Sequence, residues 1–113
     1  MSCLFCKIAK GEILSTKVYE DDRILAFRDI DPQAPVHILI IPKEHIGSVM
    51  DLSEENKDIV GHIFMCAKKI AEQAGVADTG FRIVTNNGEG AGQSVHHLHF
   101  HLLGGRNLQW PPG

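Results

Sequence analysis

Residues His97 to Leu103 read His-Leu-His-Phe-His-Leu-Leu, with an imidazole at every second position and apolar side chains between. This alternation has the period of a β-strand and splits that strand into two chemically opposed faces. Three imidazoles share one face, about 6.6 Å from one to the next, while Leu98, Phe100 and Leu102 occupy the other. A strand of this kind needs an apolar cover on one side and polar chemistry on the other. Ser53 to Ala74 supplies the cover, because Ile59, Ile63, Ala67, Ile70 and Ala74 recur at steps of four and three, the signature of an amphipathic helix. Ser53 serves as its N-cap, with Glu54 and Glu55 in the first turn, Lys68 and Lys69 toward the far end and Gly75 as terminator.

The remaining elements are short. Phe5 to Lys10 makes one or two helical turns ended by Gly11, and Lys17 to Glu20 with Ile24 to Arg28 forms a hairpin around Asp21 and Asp22. Asp31 to Pro35 is a turn or loop, and Val36 to Ile41, rich in β-branched residues and stopped by Pro42, is a buried strand whose one polar residue is His37. Phe81 to Thr85 is a strand, Asn86 to Gly92 a glycine-rich loop, and Val95 to Leu103 a strand closed by Gly104 and Gly105. The tail Trp110-Pro111-Pro112-Gly113 is extended. About five strands and one long and one short helix, without a crossover helix between every strand pair, specify α+β with a mainly antiparallel sheet.

The chain has 113 residues, 43% of them hydrophobic, so residues 1–113 are read as a single domain able to bury a core without covalent staples. A formal net charge of −3 gives no footing for bulk electrostatic binding to nucleic acid or an acidic membrane, so any phosphate must be gripped locally. No apolar run approaches the roughly 18 residues of a membrane span, and the first residues lack the apolar stretch of a secretory leader. A soluble, cytoplasmic protein is expected. Three cysteines, an odd number, do not make a disulfide framework and suit a reducing compartment.

The histidine row has its own electrostatic logic. At an effective dielectric near 20, two unit charges about 6.6 Å apart repel by roughly 2.5 kcal/mol, nearly two pKa units. The row therefore keeps at least one neutral, nucleophilic imidazole at neutral pH, and a neighbour can carry the proton that a phosphate or leaving group needs. Upstream, Gly88-Glu89-Gly90-Ala91-Gly92-Gln93-Ser94 lets backbone N–H groups approach an anion and adds a hydroxyl at Ser94. Alone the loop is a common hairpin feature, without the lysine of a P-loop. Joined to the histidine row it points to phosphate chemistry.

The segment His97 to Leu103 matches the histidine-triad pattern, in which histidines alternate with apolar residues and an apolar pair closes the motif. PQAPVHILIIPKEHI, Gly92-Gln93-Ser94-Val95 and the closing LLGGRNLQWPPG extend the likeness across nearly the whole chain. The sequence resembles the Hint branch of the histidine triad (HIT) superfamily. That resemblance implies a HIT-like fold whose sheets join across a homodimer, and a purine nucleoside phosphoramidase that needs no cofactor for catalysis. It implies that His99 attacks the α-phosphorus, that His101 contacts phosphate oxygens, and that His97 and His37 form a relay holding the tautomer of His99. Ser94 would bond the leaving group, Asn86, Gly92 and Gln93 would hold phosphate or leaving-group atoms, and Asp29 would take the ribose hydroxyls. Phe5, Ile8, Ile13, Phe27 and Leu39 would line a purine slot, and Trp110 would reach the partner subunit's site. Two other functions fit the same motif: a nucleotide-binding module without turnover, and a dinucleoside polyphosphate hydrolase.

Read without the resemblance, Phe5, Phe27 and Leu39 are core residues by default and Asp29 is equally a turn or capping acid. Cys3-x-x-Cys6 has the spacing of half a zinc site, and His45 and His97 complete a set of two cysteines and two histidines if the fold brings them together. A zinc-bound His97 would compete with the His97–His37 relay. His62 and His96 fall outside the matched positions and read as structural or solvated, and Cys66, on the apolar side of the long helix, reads as core.

Overall fold

A computed structural model describes residues 3–113. Five strands, β1 (Lys17–Glu20), β2 (Ile24–Arg28), β3 (Val36–Pro42), β4 (Phe81–Val84) and β5 (Phe100–Gly104), join two helices, α1 (Leu4–Ala9) and α2 (Asp58–Gln73). The strands form one sheet in the order β1-β2-β3-β5-β4, and every neighbouring pair is antiparallel. The α+β architecture with one long and one short helix is the one that the strand and helix periodicities specify.

Register decides which side chains share a face. Ala26 pairs with Ile40 and Ile38 with Leu102, and these residues, with Ile24 and Phe100, form one buried layer under Ile59, Ile63, Cys66, Ala67 and Ile70 of α2. On the opposite face Phe27 pairs with Leu39, which pairs in turn with His101, and α1 covers this side through Phe5 and Ile8. Both faces of β3 are therefore covered, which is why it reads as a continuous β-branched run. Its buried isoleucines each contribute about 1.5–3 kcal/mol relative to exposure.

Two boundaries differ from the sequence reading by more than one residue. α2 begins at Asp58 and its N-cap is Lys57, without a side-chain cap bond. The delay lies in the backbone: the Asn56, Ile59 and Val60 N–H groups reach back three residues, to the Ser53, Asn56 and Lys57 carbonyls at 3.3, 3.2 and 3.2 Å, so the chain passes through turns before the regular helix starts, while Asn56 Oδ1 accepts from the Ser53 N–H at 2.6 Å. The far end follows expectation, as Gly75 adopts φ +77° and the Val76 N–H returns to the Ala71 carbonyl at 3.0 Å, closing the helix with a left-handed glycine. β5 begins at Phe100 rather than Val95, because the His97 N–H turns back to the Val95 carbonyl and the Leu98 N–H bonds Ile46 across to another loop. Among the described residues no helix is long and apolar enough to cross a membrane.

Candidate active site

The late start of β5 separates the three alternating histidines. His99 and His101 remain together, with ring centroids 5.1 Å apart, whereas His97 turns toward Cys3, Cys6 and His45. The single row of imidazoles expected from strand periodicity is thus two sites that share a backbone.

Hydrogen bonding assigns the proton on each ring. A backbone carbonyl can only accept, so the 2.7 Å contact between His99 Nδ1 and the His97 carbonyl places the proton on Nδ1 and leaves Nε2 with its lone pair. His99 is buried, 4% exposed, with Phe5 edge-on to its ring at 5.1 Å. The same reasoning applies to His37. The Gln33 N–H donates to His37 Nδ1 at 3.0 Å, so Nε2 carries the proton and donates to His101 Nδ1 at 2.9 Å. His101 consequently keeps its own proton on Nε2. Burial foremost, then the neighbouring His99 and His37, pushes the His101 pKa down to about 4, so it stays a neutral donor. Burial also lowers that of His37, against the pull of Asp29 and Asp31.

This geometry corrects the relay. His37 pairs with His101, not with His97, and the tautomer of His99 is held by the main-chain carbonyl of residue 97. The competition between a metal-bound His97 and the relay therefore disappears. His97 is fully buried, and its Nε2–H donates to the Pro42 carbonyl at 2.8 Å. Its bare Nδ1 faces Cys3 Sγ at 3.4 Å, Cys6 Sγ at 3.5 Å and His45 Nδ1 at 3.2 Å, and Cys6 Sγ lies 3.3 Å from His45 Nδ1. Burial first of all lowers the His97 pKa, which keeps this nitrogen free of a proton. All four donor atoms lie within 4.8 Å of one another. A tetrahedral zinc ion with Zn–S near 2.3 Å and Zn–N near 2.05 Å requires donor separations of about 3.3–3.8 Å. The set fits such an ion, and the Pro42 carbonyl fixes the His97 ring as outer-shell partners of metal ligands do.

Of the other expected residues, Phe5, Leu39 and Asp29 adjoin these histidines. Asp29 is half-buried, its Oδ1 accepting from the Asp31 N–H at 2.8 Å and its Oδ2 3.5 Å from His37 Nε2. Phe5, Ile8, Phe27 and Leu39 form one packed cluster with Leu25 and Ile41, whereas Ile13 and Trp110 are exposed. Asn86 is half-buried and Ser94 exposed at the end of the glycine-rich loop. The Gly92 and Gln93 amides already donate to the Glu89 and Gly88 carbonyls, at 3.0 and 3.1 Å. The Gln93 side chain ties the loop to Gly47, donating to its carbonyl at 2.8 Å. The site partners missed by sequence reasoning are backbone groups: the Gln33 N–H and the Pro42 and His97 carbonyls. Every residue carries such groups, so no sequence signal marks them.

Residues 10–108 match the family described as HIT domain. The chain is 54% identical over 112 residues to the 14 kDa zinc-binding protein of Brassica juncea, covering 97% of this chain and 98% of that one. It is 53% identical over 112 residues to adenylylsulfatase HINT1 of Arabidopsis thaliana, covering 97% of this chain and 76% of that one. The crystal structure of a HIT family hydrolase from Legionella pneumophila Philadelphia 1 superposes with a TM-score of 0.97 at 54% identity, over 99% of this chain and 100% of that one. A motif, a fold and whole-length relatives agree, and the chain belongs to the HIT family, on its Hint branch.

Proposed function

We propose that the protein is a hydrolase that splits the P–N bond of purine nucleoside phosphoramidates, such as adenosine 5′-phosphoramidate or nucleotidyl-lysine, through a nucleotidyl-His99 intermediate. The observation that carries this reading is the 2.7 Å bond from His99 Nδ1–H to the His97 carbonyl. It leaves Nε2 unprotonated, as a nucleophile requires. Nε2 attacks the α-phosphorus, the P–N bond breaks, and the amine departs with a proton delivered from solvent through the Ser94 hydroxyl. Water then attacks the same phosphorus, the N–P bond to His99 breaks, and a nucleoside monophosphate leaves with the imidazole restored. The Nε2–H of His101, backed by His37, donates to a non-bridging phosphate oxygen in both steps, where charge stabilisation counts most. Asn86 and the loop at Gly92 and Gln93 border the phosphate. With both loop amides engaged within the loop, the polar contacts fall to the Asn86 amide and Ser94.

Asp29 receives the ribose hydroxyls through charge-assisted bonds. The purine lies against the apolar cluster of Phe5, Ile8, Phe27 and Leu39, with Ile13 at its rim. Cys3, Cys6, His45 and His97 hold a structural zinc, which when bound clamps four residues of three segments and does no chemistry at phosphorus. A homodimer with sheets joined across the interface would give the exposed Trp110 a place beside the partner subunit's site.

The relative named adenylylsulfatase favours one further substrate, adenylyl sulfate, for which the same attack by His99 expels sulfate without need of a protonated leaving group. Steady-state hydrolysis of both compounds by the wild type and His99→Ala tests these readings. We expect turnover of the phosphoramidate by the wild type, nearly complete loss in the variant with nucleotide affinity retained, and a phosphorus–nitrogen adduct on rapid quench. A wild-type protein that binds AMP, forms no adduct and turns over neither compound would instead be a nucleotide-binding module.

A further inference from the structure

On the face of the sheet covered by α2, away from the histidine site, three donor atoms from two separate elements converge. Asp21 Oδ2 lies 2.7 Å from His62 Nε2 and 3.8 Å from Cys66 Sγ, and Cys66 Sγ lies 3.7 Å from His62 Nε2. We propose that Asp21, His62 and Cys66 form a second metal site, one suited to a borderline-soft divalent ion such as zinc.

The geometry argues against the other use of these residue types. A cysteine nucleophile activated by a histidine needs the thiol on one ring nitrogen and the orienting carboxylate on the other. Here carboxylate and thiol meet the same Nε2, which is convergence on a point rather than a relay. Cys66 is also 1% exposed, closed to any bulky electrophile. For a tetrahedral zinc ion, the separations between sulfur and either nitrogen or oxygen are about 3.5 Å and that between nitrogen and oxygen about 3.3 Å. Both sulfur distances are within 0.3 Å of this, and the third needs about half an ångström of opening as the ion replaces the proton between Asp21 and His62.

The surroundings hold the donors in place. Asp21 Oδ1 accepts from the Arg23 and Ile24 N–H groups at 2.8 and 2.9 Å, which leaves Oδ2 as the ligating atom. The Tyr19 hydroxyl donates to that oxygen at 3.0 Å, an outer-shell bond of the kind that orients a ligating carboxylate. An open cleft of about 330 Å³, lined by Asp21, Asp22, Arg23 and His62, supplies the fourth position for solvent. The Asp21 carboxylate and the Cys66 thiolate together neutralise a dication. Binding moves the His62 proton to Nδ1 and releases one proton from Cys66.

The full chain carrying Cys3→Ser and Cys6→Ser, stripped with chelator, isolates this site from the other. Titration with zinc against a chromophoric chelator, and with cobalt followed by absorption, should show one ion per chain and a single thiolate-to-cobalt charge-transfer band. Adding Cys66→Ala should abolish that band, and His62→Gln should weaken affinity about tenfold or more. In the unsubstituted chain Cys66→Ala should lower zinc content from two ions to one, a comparison that holds even if the double variant misfolds. Zinc content that Cys66→Ala and His62→Gln leave unchanged, or a folded double variant that takes up no ion, would overturn the site.

Discussion

His101 converts the electrostatics of the site into a measurable pH dependence. Its pKa falls from an ordinary 6.5 to about 4, chiefly through burial and secondarily through His99 and His37. Between those values the unfolded chain binds a proton that the folded chain refuses, so the stability due to the neutral ring is present above pH 6.5 and drains as the pH falls toward 4. From pH 7 to pH 4.5 this one imidazole withdraws about 2 kcal/mol. Urea unfolding of the wild type and of His101→Asn at the two pH values isolates the effect. The substitution removes the titrating group and keeps an acceptor for the His37 Nε2–H. We expect the wild type to lose about 2 kcal/mol more than the variant over that interval, at unchanged slope against urea. Equal losses in the two proteins would refute the assignment of His101 as a half-buried neutral ring.

Cys6→Ser removes one donor of the four-residue set and should lower kcat about tenfold with little change in KM, as measured by steady-state hydrolysis. The reason is that the His97 carbonyl, which holds the tautomer of His99, belongs to a residue of that set. Ile40→Ala, under α2 at the middle of the sheet, should cost about 2–5 kcal/mol by urea unfolding. At Gly104 a new Cβ would sit 2.9 Å from Val76 Cγ1, so Gly104→Ala should cost about 1–3 kcal/mol, and Val76→Ala in the same chain should recover part of it.

Periodicity and punctuation carry information within a few residues, and there the sequence was legible. The steps of four and three from Ile59 to Ala74, the β-branched run before Pro42 and the glycine past the end of α2 specify the elements, and their order specifies α+β. Alternation also placed Leu98, Phe100 and Leu102 in the layer under α2. The start of β5 was not legible, because the bond from Leu98 to Ile46 joins segments about fifty residues apart. Nor was the start of α2, where backbone bonds spanning three residues precede those spanning four.

The site divides along the same line. Residue types nominated the row His97, His99 and His101 as phosphate chemistry and Cys3, Cys6, His45 and His97 as a metal set, and the family resemblance added His37. Packing and register turn His97 out of the row, pair His37 with His101, and set the tautomer of His99 by a main-chain carbonyl. Asp21, His62 and Cys66, which the sequence scattered between a turn and a helix, met only through packing. Such pairings depend on strand register and on backbone groups common to all residues, and neither is written in the spacing of side chains along the chain.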